Sequence, residues 1–294
     1  MERKDRLDAV GVSALLGVSF LLAINQILIK AVNAGLQPVF FAGLRSLLAV
    51  PFVVGWMVWR GRAPRHRPGT AGAGLAMGAL FAVEFLALFI ALDLTTVGRA
   101  AILFYTMPMW LAVMAHLGLP GERLTALRAG GLALAFLGTA WALSDRAAGA
   151  GQASLAGDLC AILAAVCWAG TAFIARRPTM AAVGAEMQLL WMVTVSAPLL
   201  LLAAPAFGPL IRELQPWHLG GLLFQSAIVV AGGFVTWLWL LGRYPAATVA
   251  SFSFLTPVIG LFLGVILFGE PLTYQILGSA GLVAAGIILI NRRR

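Results

Sequence analysis

The chain reads as a series of long apolar runs separated by short polar breaks. Ten runs occupy 10–30, 38–59, 70–92, 98–118, 127–144, 157–175, 185–204, 218–241, 247–268 and 275–291. Each is near the roughly 20 residues that a helix needs to cross a bilayer. None shows the short period-two alternation of a barrel strand. Lipid also leaves helices and closed barrels as the only spanning structures. The pattern therefore predicts an all-α membrane protein of ten transmembrane helices. Gly, Pro and charge mark the breaks, as in RGRAPRHRPG at 60–69, LPGER at 119–123, ARRP at 175–178 and GRYP at 242–245. The first run, Val10 to Ile29, follows a charged start. It exceeds the roughly 7–15 residues of a signal-peptide core and is expected to be the first spanning helix.

Composition agrees with lipid as the solvent. Hydrophobic residues make up 61% of the 294, with a mean hydropathy of +0.96, against about 45–50% in a soluble domain. The net charge of +9 raises the question of nucleic acid, but charged residues are only 11% and lie between apolar runs. That is a topology signal, and no nucleic-acid partner is expected. With the N-terminus in the cytoplasm, 15 of the 20 Lys and Arg fall in cytoplasmic segments, among them Arg60, Arg62, Arg65, Arg67, Arg176, Arg177 and Arg243. The outer segments hold only Lys30, Arg99, Arg146 and Arg212, and Arg45 lies inside a helix. An even number of spans then puts both basic termini inside.

An internal repeat divides the chain. FLTPVIGLFLGVILFGEPLT at 254–273 resembles FYTMPMWLAVMAHLGLPGERLT at 104–125. Pro257 matches Pro108, Gly269-Glu270 matches Gly121-Glu122, and Leu272-Thr273 matches Leu124-Thr125. Gly278 and Gly286 follow at the spacing of Gly130 and Gly138. The predicted units are 1–148 and 149–294, five helices each. Five is odd, so the halves enter the membrane from opposite sides, an arrangement that supports two mirror-related states.

These features resemble the EamA-type drug/metabolite transporters: two five-helix halves, a Pro early in helices four and nine, a Gly-Glu after each, and Arg45 in helix two. Within them the plan is most similar to bacterial amino acid exporters of the YddG-like, aromatic amino acid type. The resemblance implies a central cavity lined by helices one, three, four, six, eight and nine, with helices five and ten as outer supports.

Glu84 is the only acidic residue deep in an apolar run, where a carboxylate costs several kcal/mol unless paired, hydrated or protonated. It is expected to bind a substrate ammonium or carry a proton, or else to serve as a structural partner of Arg45. By repeat alignment it falls near Gly233, and a charge opposite a glycine leaves room for a ligand. Asn25, Gln225 and Ser251, with Gln26, Ser226, Thr171 and Ser253, fall on the expected lining helices. Each alone is equally well read as a hydrogen bond between helices. Tyr105 and Trp168 are candidates for aromatic lining, by stacking or cation–π contact, and for simple packing. Arg45 is read as structural or gating, with direct substrate contact as its alternative. Pro108 and Pro257 each remove a helical hydrogen bond, at Phe104 and Ser253, and are read as hinges for gating. Glu122 and Glu270 are read as complements to the dipole of the following helix, and Gly74/Gly78 and Gly260/Gly264 as small-xxx-small contacts.

No phosphate-binding G-x-x-x-x-G-K-[ST] loop, G-x-S-x-G or H-E-x-x-H is present. Cys160 and Cys167 sit about 10 Å apart on one helix, too far for a disulfide, and the three His are scattered. No catalytic residue, metal or cofactor is expected. The expected function is a secondary transporter that exports neutral and aromatic amino acids, or related small metabolites, across the bacterial inner membrane by alternating access. The expected partners are an amino acid substrate and the lipid bilayer, and the expected state is a monomer. A drug or other metabolite transporter of the same fold is the alternative, with a lipid-modifying membrane enzyme or a structural scaffold behind it.

Overall fold

Local signals start the helices. Asp8 caps α1 (Ala9–Val32) by accepting from the Gly11 amide at 2.8 Å. Gln37 accepts from the Phe40 amide at 2.6 Å and Pro38 opens α2 (Pro38–Trp59). Ser154 accepts from the Gly157 amide at 3.0 Å to open α7 (Leu155–Ala175). Each cap satisfies an amide that the first turn leaves unpaired. The computed structural model describes residues 8–65, 67–118, 125–144, 154–181, 183–243 and 255–291.

Between and after these helices come α3 (Ala71–Leu94), α4 (Val97–Phe104), α5 (Met107–Gly118) and α6 (Ala126–Ser144), then the short α8 (Pro178–Ala181) and α9 (Ala185–Ala203). Next, α10 (Pro216–Phe224) runs through a π-helical stretch, Gln225–Phe234, into α11 (Val235–Arg243). The last two are α12 (Leu255–Phe268) and α13 (Tyr274–Asn291). Among the described residues there is no strand, only an isolated antiparallel bridge between Leu36 and Ile211. Seven helical stretches are long and apolar enough to cross a membrane, beginning at Ala9, Pro38, Ala71, Val97, Leu155, Ala185 and Pro216. Shorter apolar helices cover 129–141 and 256–268, within the expected fifth and ninth runs.

The core is aromatic. α3 packs along α7 and α9, and α2 packs along α9. Phe41, Phe81, Phe85 and Phe89 fill the space between them, each almost wholly buried. α6 and α13 pack chiefly on each other, reaching the rest through α4 and α5. Glycines set that approach: a methyl group on Gly286 would lie 2.6 Å from the Ala135 amide nitrogen, and one on Gly138 would lie 2.9 Å from the Ser279 carbonyl.

Gly74 and Gly78 do allow a close approach. Their partners are Trp191 and Val195 of α9; a methyl group on Gly78 would overlap Val195 and meet the Trp191 carbonyl at 2.9 Å. Gly78→Leu should therefore force α3 and α9 apart. An overpacked site costs about 1–3 kcal/mol, and the expected result is a Tm several degrees lower in detergent. An unchanged Tm would mean that the two helices slide apart freely.

Pro108 differs from expectation. The fourth run is broken rather than kinked: the Tyr105 amide closes on the Ala101 carbonyl at 2.9 Å, the Thr106 amide steps to Leu103 at 3.2 Å, and α5 restarts at Met107. Pro108 thus lies in the first turn of α5, where its missing N–H costs nothing. Pro257 lies in α12, and its expected hydrogen-bond loss at Ser253 lies outside the described residues. The helix-interior prolines are Pro51 and Pro198, the fourteenth residues of α2 and α9. They occupy equivalent places in α2 and α9 and were not singled out from the sequence.

Candidate functional site

A narrow cavity of about 30 Å³ is lined by residues from both of the predicted units. α1 supplies Leu22, Asn25 and Gln26, and α3 supplies Glu84, Phe85 and Leu88. Phe104 and Tyr105 come from the break between α4 and α5, and Trp168 from α7. Gly233 and Phe234 come from the π-helical stretch, and Trp237 from α11. The expected juxtaposition of Glu84 with Gly233 is present, since both line this space.

Aromatic faces make the walls. Phe104 stacks on Trp168 with ring centroids 4.9 Å apart and planes 14° apart. Tyr105 meets Trp168 edge-on at 5.8 Å, and Trp237 approaches it at 6.1 Å. The Tyr105 hydroxyl lies beside Thr256 of α12. Among the polar atoms of these residues, Glu84 Oε2, Asn25 Oδ1 and Gln26 Oε1 have no hydrogen-bond donor among the described residues. Three buried acceptor oxygens around one aromatic space suit a ligand that brings its own N–H groups.

Of the six expected substrate contacts, Asn25, Glu84, Tyr105 and Trp168 come together here. Gln225 does not line the space. It is fully buried, and its Nε2 donates to the Asn25 carbonyl at 3.4 Å, tying the π-helical stretch to α1. Ser251 lies outside the described residues. Thr171 follows the bland reading, donating to the Cys167 carbonyl one turn back at 3.1 Å.

Arg45 neither snorkels nor forms an ion pair with Glu84 within hydrogen-bonding distance. It is fully buried, with its guanidinium carbon 3.7 Å from the Phe85 ring centroid and 5.1 Å from that of Phe89. Its backbone carbonyl accepts from Ser226 Oγ at 3.2 Å. Phe85 therefore presents one face to Arg45 and also lines the cavity. Arg45 on α2 and Glu84 on α3 are of opposite sign, which lowers the cost of each charge in an apolar interior.

A second polar cluster closes one end of the bundle, and sequence reading missed it. Lys30 Nζ lies 2.8 Å from Glu270 Oε1 and donates to the Thr95 carbonyl at 3.2 Å. The Glu270 carboxylate also accepts from the amides of Val97 at 2.8 Å and Gly98 at 3.2 Å. It thus caps α4, not the helix that follows it. Arg99 and Asp158 form a buried ion pair, and Thr95 Oγ1 donates to Asp158 at 2.9 Å. Arg212 grips Asp93 through two bonds of 2.7 and 2.9 Å. The only cations assigned to outer segments are Lys30, Arg99, Arg146 and Arg212. Three of them are neutralised here, and Arg146 lies outside the described residues.

Comparison with known proteins fits this geometry. The model of the EamA-like transporter family matches the chain twice, over residues 9–144 and 155–292. The uncharacterized transporter YvbV of Bacillus subtilis is 30% identical, covering 92% of this chain and 88% of its own. A probable amino-acid metabolite efflux pump of Escherichia coli is 30% identical over 98% of this chain and 95% of its own. A probable terminal-alkyne amino-acid exporter of Streptantibioticus cattleyicolor is 31% identical over 67% of this chain and 64% of its own. A crystal structure with 21% identity covers 95% of this chain and 97% of its own at a TM-score of 0.67, which shows the shared fold. With its apolar helices and two family matches, the chain is a multi-pass membrane protein of the inner membrane, and it belongs to the EamA-like transporter family.

Proposed function

We propose that the chain is a secondary transporter that exports neutral and aromatic amino acids by alternating access between two inverted five-helix halves, with both termini in the cytoplasm. One observation carries the substrate reading: Glu84, Asn25 and Gln26, each with an acceptor oxygen that has no donor among the described residues, line a cavity walled by Trp168, Tyr105, Phe104 and Trp237. An ammonium offers three donors and a positive charge to such a group. The rings favour an apolar or aromatic side chain and add cation–π attraction. A small molecule with both features is an amino acid, and the E. coli relative named as an amino-acid metabolite efflux pump supports that class.

The break at Tyr105–Thr106 and the interior prolines Pro51 and Pro198 are the places where the halves would bend. Pro108, at the start of α5, and Pro257 retain a gating role in this proposal. Arg45 acts through Phe85 and Glu84 rather than on the substrate. The ion pairs of Lys30, Arg99 and Arg212 would have to separate when that end opens.

A competition panel against one labelled aromatic amino acid in proteoliposomes tests the reading. The expected ranking places aromatic and large neutral amino acids above small and acidic ones. Trp168→Ala should flatten that ranking, because an aromatic pair is worth about 0.5–1.5 kcal/mol beyond its burial, roughly a two- to twelvefold preference. An unaltered ranking in Trp168→Ala would remove the aromatic wall from the account. Competition by apolar cations, with none by amino acids, would favour a drug transporter of the same fold.

A further inference from the structure

The Arg-rich end of the bundle carries a second cavity, remote from the first. α2 ends at Trp59 in a turn that reverses the chain: Gly61 adopts φ +66°, its amide meets the Val58 carbonyl at 2.9 Å, and the Arg62 amide meets the Met57 carbonyl at 2.8 Å. This helix stop directs the following loop back over the start of α9. Between the loop and α9 lies a pocket floored by the buried side chains of Met57 and Val183 and by the half-buried Met187. Its rim holds three guanidinium groups, Arg62, Arg65 and Arg67, and one carboxylate, Glu186. Arg62 Nη1 lies 2.6 Å from Glu186 Oε1, which fixes one edge of the rim. The side chains of Arg65 and Arg67 stand exposed at the mouth.

The depth of this pocket is marked by tryptophan. Trp56 and Trp59, on the turns beside Met57, are exposed, with ring centroids 5.2 Å apart. Exposed tryptophans at a helix end belong at the boundary between acyl chains and headgroups. A net positive rim over an apolar floor at that boundary is chemically suited to an anionic phosphate carried on an acyl chain. We propose that this pocket binds the headgroup of an anionic phospholipid, with Arg65 and Arg67 on its phosphate and the methionine floor against its glycerol and first methylenes. The site is independent of the transport reading.

The test uses the full chain in detergent, delipidated and titrated with dihexanoyl phosphatidylglycerol by native mass spectrometry. Each basic group near a charged headgroup is worth roughly a fivefold change in binding. The expected result is saturable binding, weakened about tenfold or more in R65Q/R67Q and about fivefold in R65Q alone, with wild-type affinity in R177Q. Dihexanoyl phosphatidylcholine, which has a phosphate but no net charge, should bind at least tenfold more weakly. Inorganic phosphate at equal concentration should not displace the lipid. Equal phosphatidylglycerol binding in R65Q and wild type would overturn the proposal, as would equal binding of the two lipids. Displacement by inorganic phosphate would mark the pocket as a site for soluble anions instead.

Discussion

Glu84→Gln should lower amino acid transport in proteoliposomes by ten- to a hundredfold while the protein still elutes as a folded species. A hydrogen bond to a charged group is worth about 1.5–3 kcal/mol, which corresponds to that range. The amide keeps the shape of the side chain and one acceptor oxygen, so cavity volume and aromatic walls are undisturbed. What it removes is the negative charge that an ammonium would meet beside Asn25 and Gln26. Glu84→Asp keeps the charge and shortens the reach by one methylene, and should fall between wild type and Glu84→Gln. An unchanged rate in Glu84→Gln, at each pH tested, would exclude both substrate binding and proton carriage by this residue.

Asp158→Asn should be the most destabilising single change at the C-terminal end of α3. The Arg99–Asp158 pair is buried, with side-chain exposures of 3% and 2%. Removing one charge of a buried pair costs about 3–5 kcal/mol. Thr95 loses its ionised acceptor in the same substitution. A Tm lower by ten degrees or more in detergent, or a collapse in folded yield, is the expected result. Arg99→Met combined with Asp158→Asn should recover much of the loss, because the double change removes both buried charges. If the single and double variants melted alike, the cost would come from packing rather than from the charge.

Much of the fold could be read from pattern alone because bilayer physics leaves few choices. Runs of about 20 apolar residues have to be helices, and the Gly-x-x-x-Gly pair at Gly74 and Gly78 found the helix partner it implied in α9. Glu84 was conspicuous for the same reason, as a carboxylate with no polar company in its own run. Its pairing with Gly233 across the cavity came from the repeat alignment, which carries three-dimensional information that a single helix lacks.

Elsewhere the linear pattern held no signal. Lys30, Glu270 and the amide of Val97 meet from positions up to 240 residues apart, and each looks like an ordinary helix-end residue on its own. The expected hydrogen-bond loss at Pro108 assumed a continuous helix. A single Pro looks the same at the start of a helix as in its middle, and only the break at Tyr105–Thr106 distinguishes them. The π-helical stretch of Gln225–Phe234 has Gly232 and Gly233 as its sole compositional hint. Phe104 and Phe234, which close the cavity, are indistinguishable in sequence from the many Phe that face lipid.

Counterflow tests the central claim most directly. Proteoliposomes loaded with an unlabelled aromatic amino acid and diluted into a trace of the labelled form should transiently accumulate label above equilibrium, and Glu84→Gln vesicles should do so at least tenfold more slowly. A carrier that alternates around one cavity produces that overshoot, whereas a channel, an enzyme or a scaffold does not. Absence of counterflow for every one of the twenty amino acids would contradict the account.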